Sequence, residues 1–325
     1  MDRGSQALEI MGDCGAFTYV REREPVYEVE EVLEFYDGCG FDLGISMDHL
    51  IFGYDVTLDM KSANDVPADW LFRQNLTIEL AAEFLRLHRV RSCRFEPIAV
   101  AHGWSPKSYA DAVRRLQTVG YDRIALGGMV PLRSPDILAT LKEVSSALAP
   151  RTRLHLLGVT RTAHVQEFAR YGVTSFDSTS PFFQAFKDEK DNYYTLDSSY
   201  VAVRVPQVDG NTKLRRQVTA GLVDQSDARK LERICLERLR AYDRGEVGVA
   251  TTVDAVSSYM DFLGEKKDRS AAYERTLLDE PWKKCPCNVC RAIGIDVIIF
   301  RGAERNRRRG FHNLGVFSRR LTRDL

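Results

Sequence analysis

Short apolar segments alternate with amphipathic segments through the first half of the 325-residue chain. Six apolar segments end in small or polar residues: 7–13, 41–48, 97–103, 123–128, 153–159 and 173–178. Segments with helical spacing lie between them: 28–37, 73–90, 105–119, 134–148 and 162–171. Short apolar runs are typical of buried parallel strands, and parallel strands are usually connected by helices. The alternation therefore predicts an α/β fold with a parallel sheet.

The number of strand–helix units limits the fold further. A closed (β/α)8 barrel of the TIM-barrel type has eight strands, and this pattern supplies six. We therefore expect a TIM-barrel type of fold that lacks its first strands, in an N-terminally short form of the chain.

The second half of the chain has a different pattern. Residues 179–215 are aromatic and polar without a clear period, and helical spacing returns near 226–243 and 251–264. We interpret 179–284 as barrel-closing loops with inserted helices. The predicted regions are a βα barrel, a helical insertion and a cysteine-rich C-terminal module: 1–215, 216–284 and 285–325.

The charge balance by itself excludes no class of binding partner. Lys plus Arg and Asp plus Glu both total 46, so a nucleic-acid partner would have to bind a local basic patch. The sequence contains no run of about 18 apolar residues and no secretory layout at its start, which predicts a cytoplasmic protein without a membrane partner.

Three cysteines crowd into six positions near the end of the chain. Cys285, Cys287 and Cys290 form C-x-C-x2-C, and His312 follows 22 positions after the last. Crowded cysteines in an intracellular protein indicate metal rather than disulfides, and a Cys3His set fills the tetrahedral shell of a structural zinc ion. The alternatives are unrelated cysteines, or an iron–sulfur cluster, which lacks a nearby fourth cysteine.

Polar side chains end several of the predicted strands. Four strands end in a side chain that can take part in chemistry: Asp13, Asp48, His102 and Asp177. Active sites of βα barrels lie at the carboxyl ends of the strands, so these groups are expected to converge. Each aspartate could instead be a helix cap or a turn residue, but a convergent set is better explained as a site.

Two carboxylates on either side of a glycosidic carbon permit a double displacement. One attacks as nucleophile, and the other protonates the leaving group and later deprotonates the incoming one. Gly127 and Gly128, at the end of another strand, allow a flat ring to approach the backbone closely.

These motifs resemble the guanine transglycosylases, enzymes that exchange guanine for a 7-deazaguanine base in nucleic acid. Five ordered segments carry the resemblance: 12–17, 46–48, 126–129, 157–159 and 175–178. The cysteine cluster and the segment His312-Asn313-Leu314 match that family as well. The resemblance implies a TIM barrel with a zinc-binding appendage.

The resemblance also implies catalytic roles. Asp177 would be the nucleophile at C1′ and form a covalent aspartyl-nucleoside intermediate. Asp13 would be the general acid and base.

Base recognition is implied for five further residues. Asp48 would read the N–H edge of the base, and Gly127 and Gly128 would contact its oxygen, with Met129 beside them. His102 stands where tRNA-acting members usually carry glutamine, and imidazole can also donate to a carbonyl.

Two departures favour the DNA-acting branch, the DNA-guanine transglycosylases, which insert a preQ0-type 7-deazaguanine. The first departure is Cys14 within D-C-G-A-F. The second is an aromatic segment, 180–186, which stands where the tRNA-acting members carry an arginine-containing stretch that they use near tRNA. Its side chains Phe182, Phe183 and Phe186 would suit a wedge that extrudes a base from the duplex. Alternatively, they belong to the hydrophobic core that closes the barrel. The alternatives are a tRNA-guanine transglycosylase of queuosine or archaeosine formation and a non-catalytic partner subunit.

An arginine run lies between the third and fourth predicted metal ligands. The run has arginines at 301, 305, 307, 308 and 309, and three more, at 319, 320 and 323, follow His312. The predicted phosphate contacts are Arg305, Arg307, Arg308 and Arg309, although such a run is also typical of a solvated face. Homodimerisation and accessory proteins remain open.

Overall fold

The structure is a computed structural model that describes residues 9–159, 161, 164–188 and 191–324. The first two residues of the predicted strand 7–13 and the start of the predicted helix 162–171 lie outside the described residues.

The chain divides into two compact units, Met1–Ser178 and Thr179–Leu325. This division reflects how densely residues pack within each unit, and its boundary coincides with neither of the predicted boundaries at 215 and 284. The three predicted regions therefore stay a prediction.

Within the described residues of the first unit, six strands form one sheet. Neighbouring strands are parallel and follow chain order. The strands are β1 (Met11–Gly12), β2 (Leu43–Ile45), β3 (Glu96–Ala101), β4 (Arg123–Leu126), β5 (Arg153–Leu156) and β6 (Val173–Phe176). The predicted parallel sheet is confirmed, and each strand is shorter than its apolar segment because the small and polar ends form loops.

Helices connect the strands. They are α1 (Val29–Cys39), α2 (Ala68–Arg91), α3 (Pro106–Val119), α4 (Ser134–Ser146) and α5 (Val165–Ala169). The start of α3 follows from its sequence, because Ser105 caps the Ser108 N–H and Pro106 occupies the first turn. The helix ends at Gly120, whose φ of 115° favours glycine.

Both faces of the sheet are buried. On β4, Ile124 and Leu126 pack in the cluster formed with the helices, whereas Ala125 between them packs with Ile98 and Val100 on the other face. This alternation explains why the strand segments are continuously apolar.

The sheet curls as a half-barrel. In a flat sheet, β1 and β6 would lie roughly 24 Å apart, since neighbouring strands are separated by about 4.8 Å. Burial raises the pKa of Asp13, which follows β1, and the charge of Asp177, which follows β6, raises it further. Because the charge of Asp177 acts on Asp13, the two edges lie closer to one another than they would in a flat sheet. A closed eight-stranded barrel is not formed by the strands described.

The second unit is mainly helical. Its helices are α6 (Ser180–Gln184), α7 (Thr212–Thr219), α8 (Gln225–Asp243), α9 (Val249–Phe262), α10 (Ser270–Asp279), α11 (Pro281–Lys284), α12 (Asn288–Ile293) and α13 (Gly302–Asp324). The helices predicted near 226–243 and 251–264 are confirmed as α8 and α9.

Four short strands of the second unit pair with one another. They are β7 (Tyr193–Tyr194) with β8 (Ser199–Tyr200), and β9 (Val203–Arg204) with β10 (Ile299–Phe300). The described strands of the second unit form two-stranded sheets. The barrel-closing role of 179–284 stays a prediction.

The helices described in the structure are not apolar enough over a sufficient length to span a membrane.

Gly44 in β2 tests the packing of α1 against the sheet. A Cβ atom there would lie 2.5 Å from the Phe95 ring and 2.7 Å from the Tyr36 ring. We expect Gly44→Ala to lower the free energy of unfolding by about 1–3 kcal/mol, measured by urea denaturation, because overpacking forces both rings to move. Gly38→Ala in α1 is the control, since its Cβ meets nothing within 4 Å. An equal urea midpoint for the two variants would contradict the packing.

Candidate functional site

The carboxyl ends of the strands carry the predicted catalytic groups. Asp13 directly follows β1, His102 follows β3 and Asp177 follows β6, while Asp48 lies three residues after β2. Because the strands are parallel and in chain order, these ends lie at one edge of the sheet. The structure therefore brings together the strand-end groups that the sequence singled out.

Asp48 is held by donors on both of its oxygens. Cys14 Sγ donates to Oδ1 at 3.2 Å, and His102 Nε2 lies 2.6 Å from Oδ2. Both side chains of the His102–Asp48 pair are almost fully buried. A buried carboxylate is costly unless it is hydrogen-bonded, and these contacts satisfy it. Each carboxylate oxygen can accept a second bond, so Asp48 keeps acceptor capacity for N–H groups of a ligand.

Tyr19 is a site residue that the sequence did not reveal. Its hydroxyl donates to the Asp48 carbonyl at 3.1 Å and lies 3.4 Å from Cys14 Sγ. A short 3-10 turn, Ala16–Thr18, follows Gly15 in a left-handed conformation and turns the chain back. Only this turn brings Tyr19 beside Cys14, so no motif signals it.

His102 lies against the Gly127–Gly128 turn. A Cβ at Gly127 would overlap the His102 ring, and Gly128 has a φ of 75°. The Tyr109 hydroxyl donates to the Gly127 carbonyl at 2.8 Å, and Gln74 Nε2 donates to the His102 carbonyl at 2.8 Å. Within the described residues, His102 Nδ1 is buried without a hydrogen-bond partner. The glycines thus make room for the imidazole, and the contact of His102 with a base stays a prediction.

Met129 follows this turn. Its side chain is fully buried in the main hydrophobic cluster. Its contact with a base stays a prediction.

Asp177 receives two hydrogen bonds on one oxygen. The Gly158 N–H donates to Oδ1 at 2.7 Å, and His155 Nε2 lies 3.3 Å from the same atom. The Asp177 side chain is 48% exposed, whereas that of His155 is 8% exposed. A half-exposed carboxylate with one oxygen fixed is well suited to attack an electrophile.

The surroundings shift the pKa values of two carboxyl groups in opposite directions. Burial raises the pKa of Asp13 above its ordinary 3.8, and the charges of Asp48 and Asp177 raise it further. A hydrogen bond from the Gly15 N–H acts in the opposite direction. Burial also acts to raise the pKa of Asp177, but hydrogen bonds from His155 and Gly158 outweigh it and the pKa falls below 3.8. Opposite shifts in one site are typical of an acid paired with an ionised nucleophile.

The predicted metal ligands converge in the second unit. His312 Nδ1 lies 3.6, 3.4 and 3.3 Å from the Sγ atoms of Cys285, Cys287 and Cys290. Tetrahedral ligands with zinc-like bond lengths place nitrogen and sulfur about 3.6 Å apart. All four ligand atoms lie within 4.8 Å of one another. The cluster therefore fits one metal ion with a filled shell.

Neighbouring groups orient the histidine ligand. His312 Nε2 lies 2.7 Å from the Tyr194 carbonyl, which fixes the proton on Nε2 and leaves the Nδ1 lone pair for metal. The Tyr193 ring stacks on the imidazole with centroids 4.1 Å apart, and its hydroxyl lies 3.3 Å from Cys290 Sγ. The sequence missed both tyrosines, because they precede the ligands by about a hundred positions.

The arginines of the run differ in solvent exposure. Arg309 is fully buried, and its guanidinium donates to the carbonyls of Val297, Ile299 and Ala185. This burial removes Arg309 from the predicted phosphate contacts, because its N–H groups serve the interior.

The other predicted phosphate contacts are more accessible. Arg305 pairs with Asp296 at 2.9 Å and Arg308 with Glu304 at 3.1 Å, while Arg307 is exposed. Their contact with phosphates stays a prediction.

The predicted wedge residues form an aromatic cluster in the second unit. Phe182 lies 5.4, 5.7 and 5.3 Å, between ring centroids, from Phe183, Phe186 and Phe311. Phe183 and Phe311 are more than half exposed. The cluster has a solvent-facing side, and neither the wedge nor the barrel-closing role is tested.

The Cys3His cluster predicts that the protein binds one metal ion. The purified protein is expected to contain about one equivalent of tightly bound metal by inductively coupled plasma mass spectrometry. Cys287→Ser should lose most of that metal and lower the thermal midpoint, because an incomplete shell binds weakly. Cys39→Ser is the control, since Cys39 is exposed and outside the cluster. Full metal content in Cys287→Ser would contradict this ligand set.

No family model matches the chain. A curated protein of Salmonella montevideo, named DNA-guanine transglycosylase, is 50% identical to the chain over 318 residues. The matched region covers 97% of this chain and 76% of that protein. At this identity and coverage, the chain belongs to the guanine transglycosylases, which are pentosyltransferases.

Proposed function

We propose that this enzyme replaces guanine in DNA with a 7-deazaguanine of the preQ0 type through a covalent intermediate on Asp177. The observation that carries the proposal is the pair Asp13 and Asp177, whose pKa values are shifted in opposite directions at one edge of the sheet. The name of the Salmonella montevideo relative supports DNA as the polymer.

In the first half of the reaction, Asp177 attacks C1′ of the target nucleotide. The lowered pKa keeps this carboxylate ionised, and the raised pKa keeps Asp13 protonated to higher pH. The bond from Asp177 to C1′ forms while the C1′–N9 bond breaks. Guanine leaves with the electron pair of that bond, and Asp13 gives it a proton.

The second half reverses the roles. The incoming 7-deazaguanine gives its N9 proton to the Asp13 carboxylate, and N9 attacks C1′. The ester bond to Asp177 breaks and returns the ionised carboxylate. Asp13 ends protonated as it began, so protons and electrons balance over the exchange.

Base recognition fits the Asp48 cluster. Guanine and 7-deazaguanine share an edge with N–H donors beside a carbonyl oxygen. The free acceptor capacity of Asp48 suits those N–H groups, and the buried, unpartnered His102 Nδ1 offers a further polar contact. The backbone N–H groups of Gly127 and Gly128 would serve the oxygen.

The polymer would be held by backbone contacts. Arg307 and Arg308 are exposed neighbours on α13, and arginine forms bidentate contacts with phosphates. Arg305 could add a third contact by leaving Asp296. The exposed rings of Phe183 and Phe311 would stack on bases, as aromatic side chains do in unpaired strands.

We further infer that the metal is zinc with a structural role. Three thiolates and one imidazole are the ligands that zinc prefers, and four protein ligands leave no position for substrate. Cys285, Cys287, Cys290 and His312 would hold it, and the ion would link α12, α13 and the segment between α11 and α12.

Trapping the intermediate tests the catalytic roles. With a labelled DNA duplex, denaturing electrophoresis is expected to reveal a covalent protein–DNA adduct in the wild type and none in Asp177→Asn. Asp13→Asn should lower the exchange rate by about 10²–10⁴-fold, because the proton donor is lost. Asp136→Asn is the control, since Asp136, which lies on α4, pairs with Arg133 directly before that helix. Adduct formation by Asp177→Asn would remove that residue from the nucleophile role.

The polymer is tested separately. The protein is incubated with radiolabelled preQ0 and either duplex DNA or tRNA, and the label in each polymer is counted. We expect label in DNA and not in tRNA. Label confined to tRNA would overturn the DNA assignment, and label in neither polymer would contradict exchange by this chain alone.

The arginines are tested through salt dependence. Arg307→Gln together with Arg308→Gln should weaken DNA binding, and the slope of log K against log salt should fall by about 0.9 for each lost phosphate contact. Arg229→Gln, which removes an exposed arginine of α8 paired with Asp209, is the control. An unchanged affinity and slope in the double variant would exclude this surface from DNA binding.

A further inference from the structure

His155 lies on β5 beside the predicted nucleophile. It pairs in register with Ser175 on β6, directly after a register shift between Leu154 and His155. Irregularities of this kind re-aim side chains next to active sites. The imidazole is buried, and it contacts side chains on both of its ring nitrogens.

The hydrogen-bond directions follow from the chemistry of the partners. An ionised Asp177 can only accept, so His155 Nε2, 3.3 Å from Oδ1, must carry a proton. In the neutral imidazole, Nδ1 then accepts from the Ser175 hydroxyl at 2.9 Å. The carboxylate of Asp177 thus requires this tautomer, and the Ser175 hydroxyl supports it by donating to Nδ1.

Both donors act on the same oxygen of the carboxylate. Gly158 N–H and His155 Nε2 contact Oδ1 of Asp177, and Oδ2 has no hydrogen bond within the part of the chain that the structure describes. The carboxylate is thus oriented, with one oxygen restrained and the other available. The charged groups that act on Asp177 are His155, from β5, and Asp13, after β1.

We propose that His155 is a positioning residue: it restrains Oδ1 so that Oδ2 of Asp177 attacks C1′, and it assists the carboxylate when the ester breaks. This inference rests on the proposed function of Asp177. It gives a role to a residue that no motif of the sequence singled out.

The two halves of the exchange depend on His155 differently. In the intermediate, Oδ1 is the carbonyl oxygen of an ester. When the bond between Oδ2 and C1′ breaks, negative charge returns to both carboxylate oxygens, and donors at Oδ1 stabilise it. Loss of the His155 donor should therefore slow the second half more than the first, so the covalent adduct accumulates.

The pH dependence changes in a defined direction. Hydrogen bonding to the ionised form lowers the pKa of Asp177, and His155 supplies the largest such contribution. Without it, the pKa of Asp177 rises, and the carboxylate becomes protonated at higher pH. The acidic limb of the exchange rate should move to higher pH in His155→Ala.

The experiment compares full-length His155→Ala, His155→Gln and the wild type. Exchange rate against pH and the fraction of enzyme trapped as adduct during turnover are measured with labelled DNA. His155→Ala should exchange about 10–100-fold more slowly, with an upshifted acidic limb and a larger adduct fraction. His155→Gln, which keeps a donor, should partly restore both. His164→Ala is the control, since His164 pairs with Glu167 and is not among the groups that shift the pKa of Asp177.

Ser175→Ala tests the same hydrogen-bond chain if His155→Ala does not fold. It removes the partner of Nδ1 at an exposed residue and should produce smaller changes in the same directions. An unchanged acidic limb and adduct fraction in the folded variants would overturn the role of His155 while leaving that of Asp177 intact. Absence of any adduct in the wild type would overturn the proposed function as well.

Discussion

Parallel pairing of six strands in chain order is the constraint on which the active site depends. It places the carboxyl end of every strand at one edge, so residues separated by more than 160 positions, such as Asp13 and Asp177, act on each other electrostatically. The curl of the sheet is equally necessary, because a flat sheet would separate its outer strands by roughly 24 Å. The short strands leave the following residues in loops, where side chains can turn towards a substrate.

Much of this arrangement is readable from the sequence, because strands, helices and their ends depend on local patterns. The six strands, the strand-end carboxylates and the Cys3His cluster all follow from spacing. Tyr19 and His155 do not, because a 3-10 turn and a register shift aim them, and neither leaves a local signal. The strands β7 to β10 are two residues each, too short for any alternation to reveal.

Arg309 illustrates how a pattern that was present can be misread. As part of an arginine run it predicts a surface contact, yet it lies three residues before His312 on α13, and residues three apart share a helix face. A metal ligand must face inward, so Arg309 does too. Burying its charge is tolerated because backbone carbonyls accept from the guanidinium, although burial still lowers its pKa to about 9. Arg308, one residue earlier, points to a different face and stays exposed.

Asp48 and Asp177 show two ways of using a carboxylate in one site. Asp48 is buried and receives a donor on each oxygen, an arrangement that fixes its position and suits recognition of N–H groups. Asp177 is half exposed and receives both donors on one oxygen, which leaves the other free for chemistry. Under the proposed roles, moving a donor from Oδ1 to Oδ2 of Asp177 would restrain the atom that attacks. The placement of donors between the two oxygens, rather than their number, would then distinguish the proposed recognition group from the proposed nucleophile.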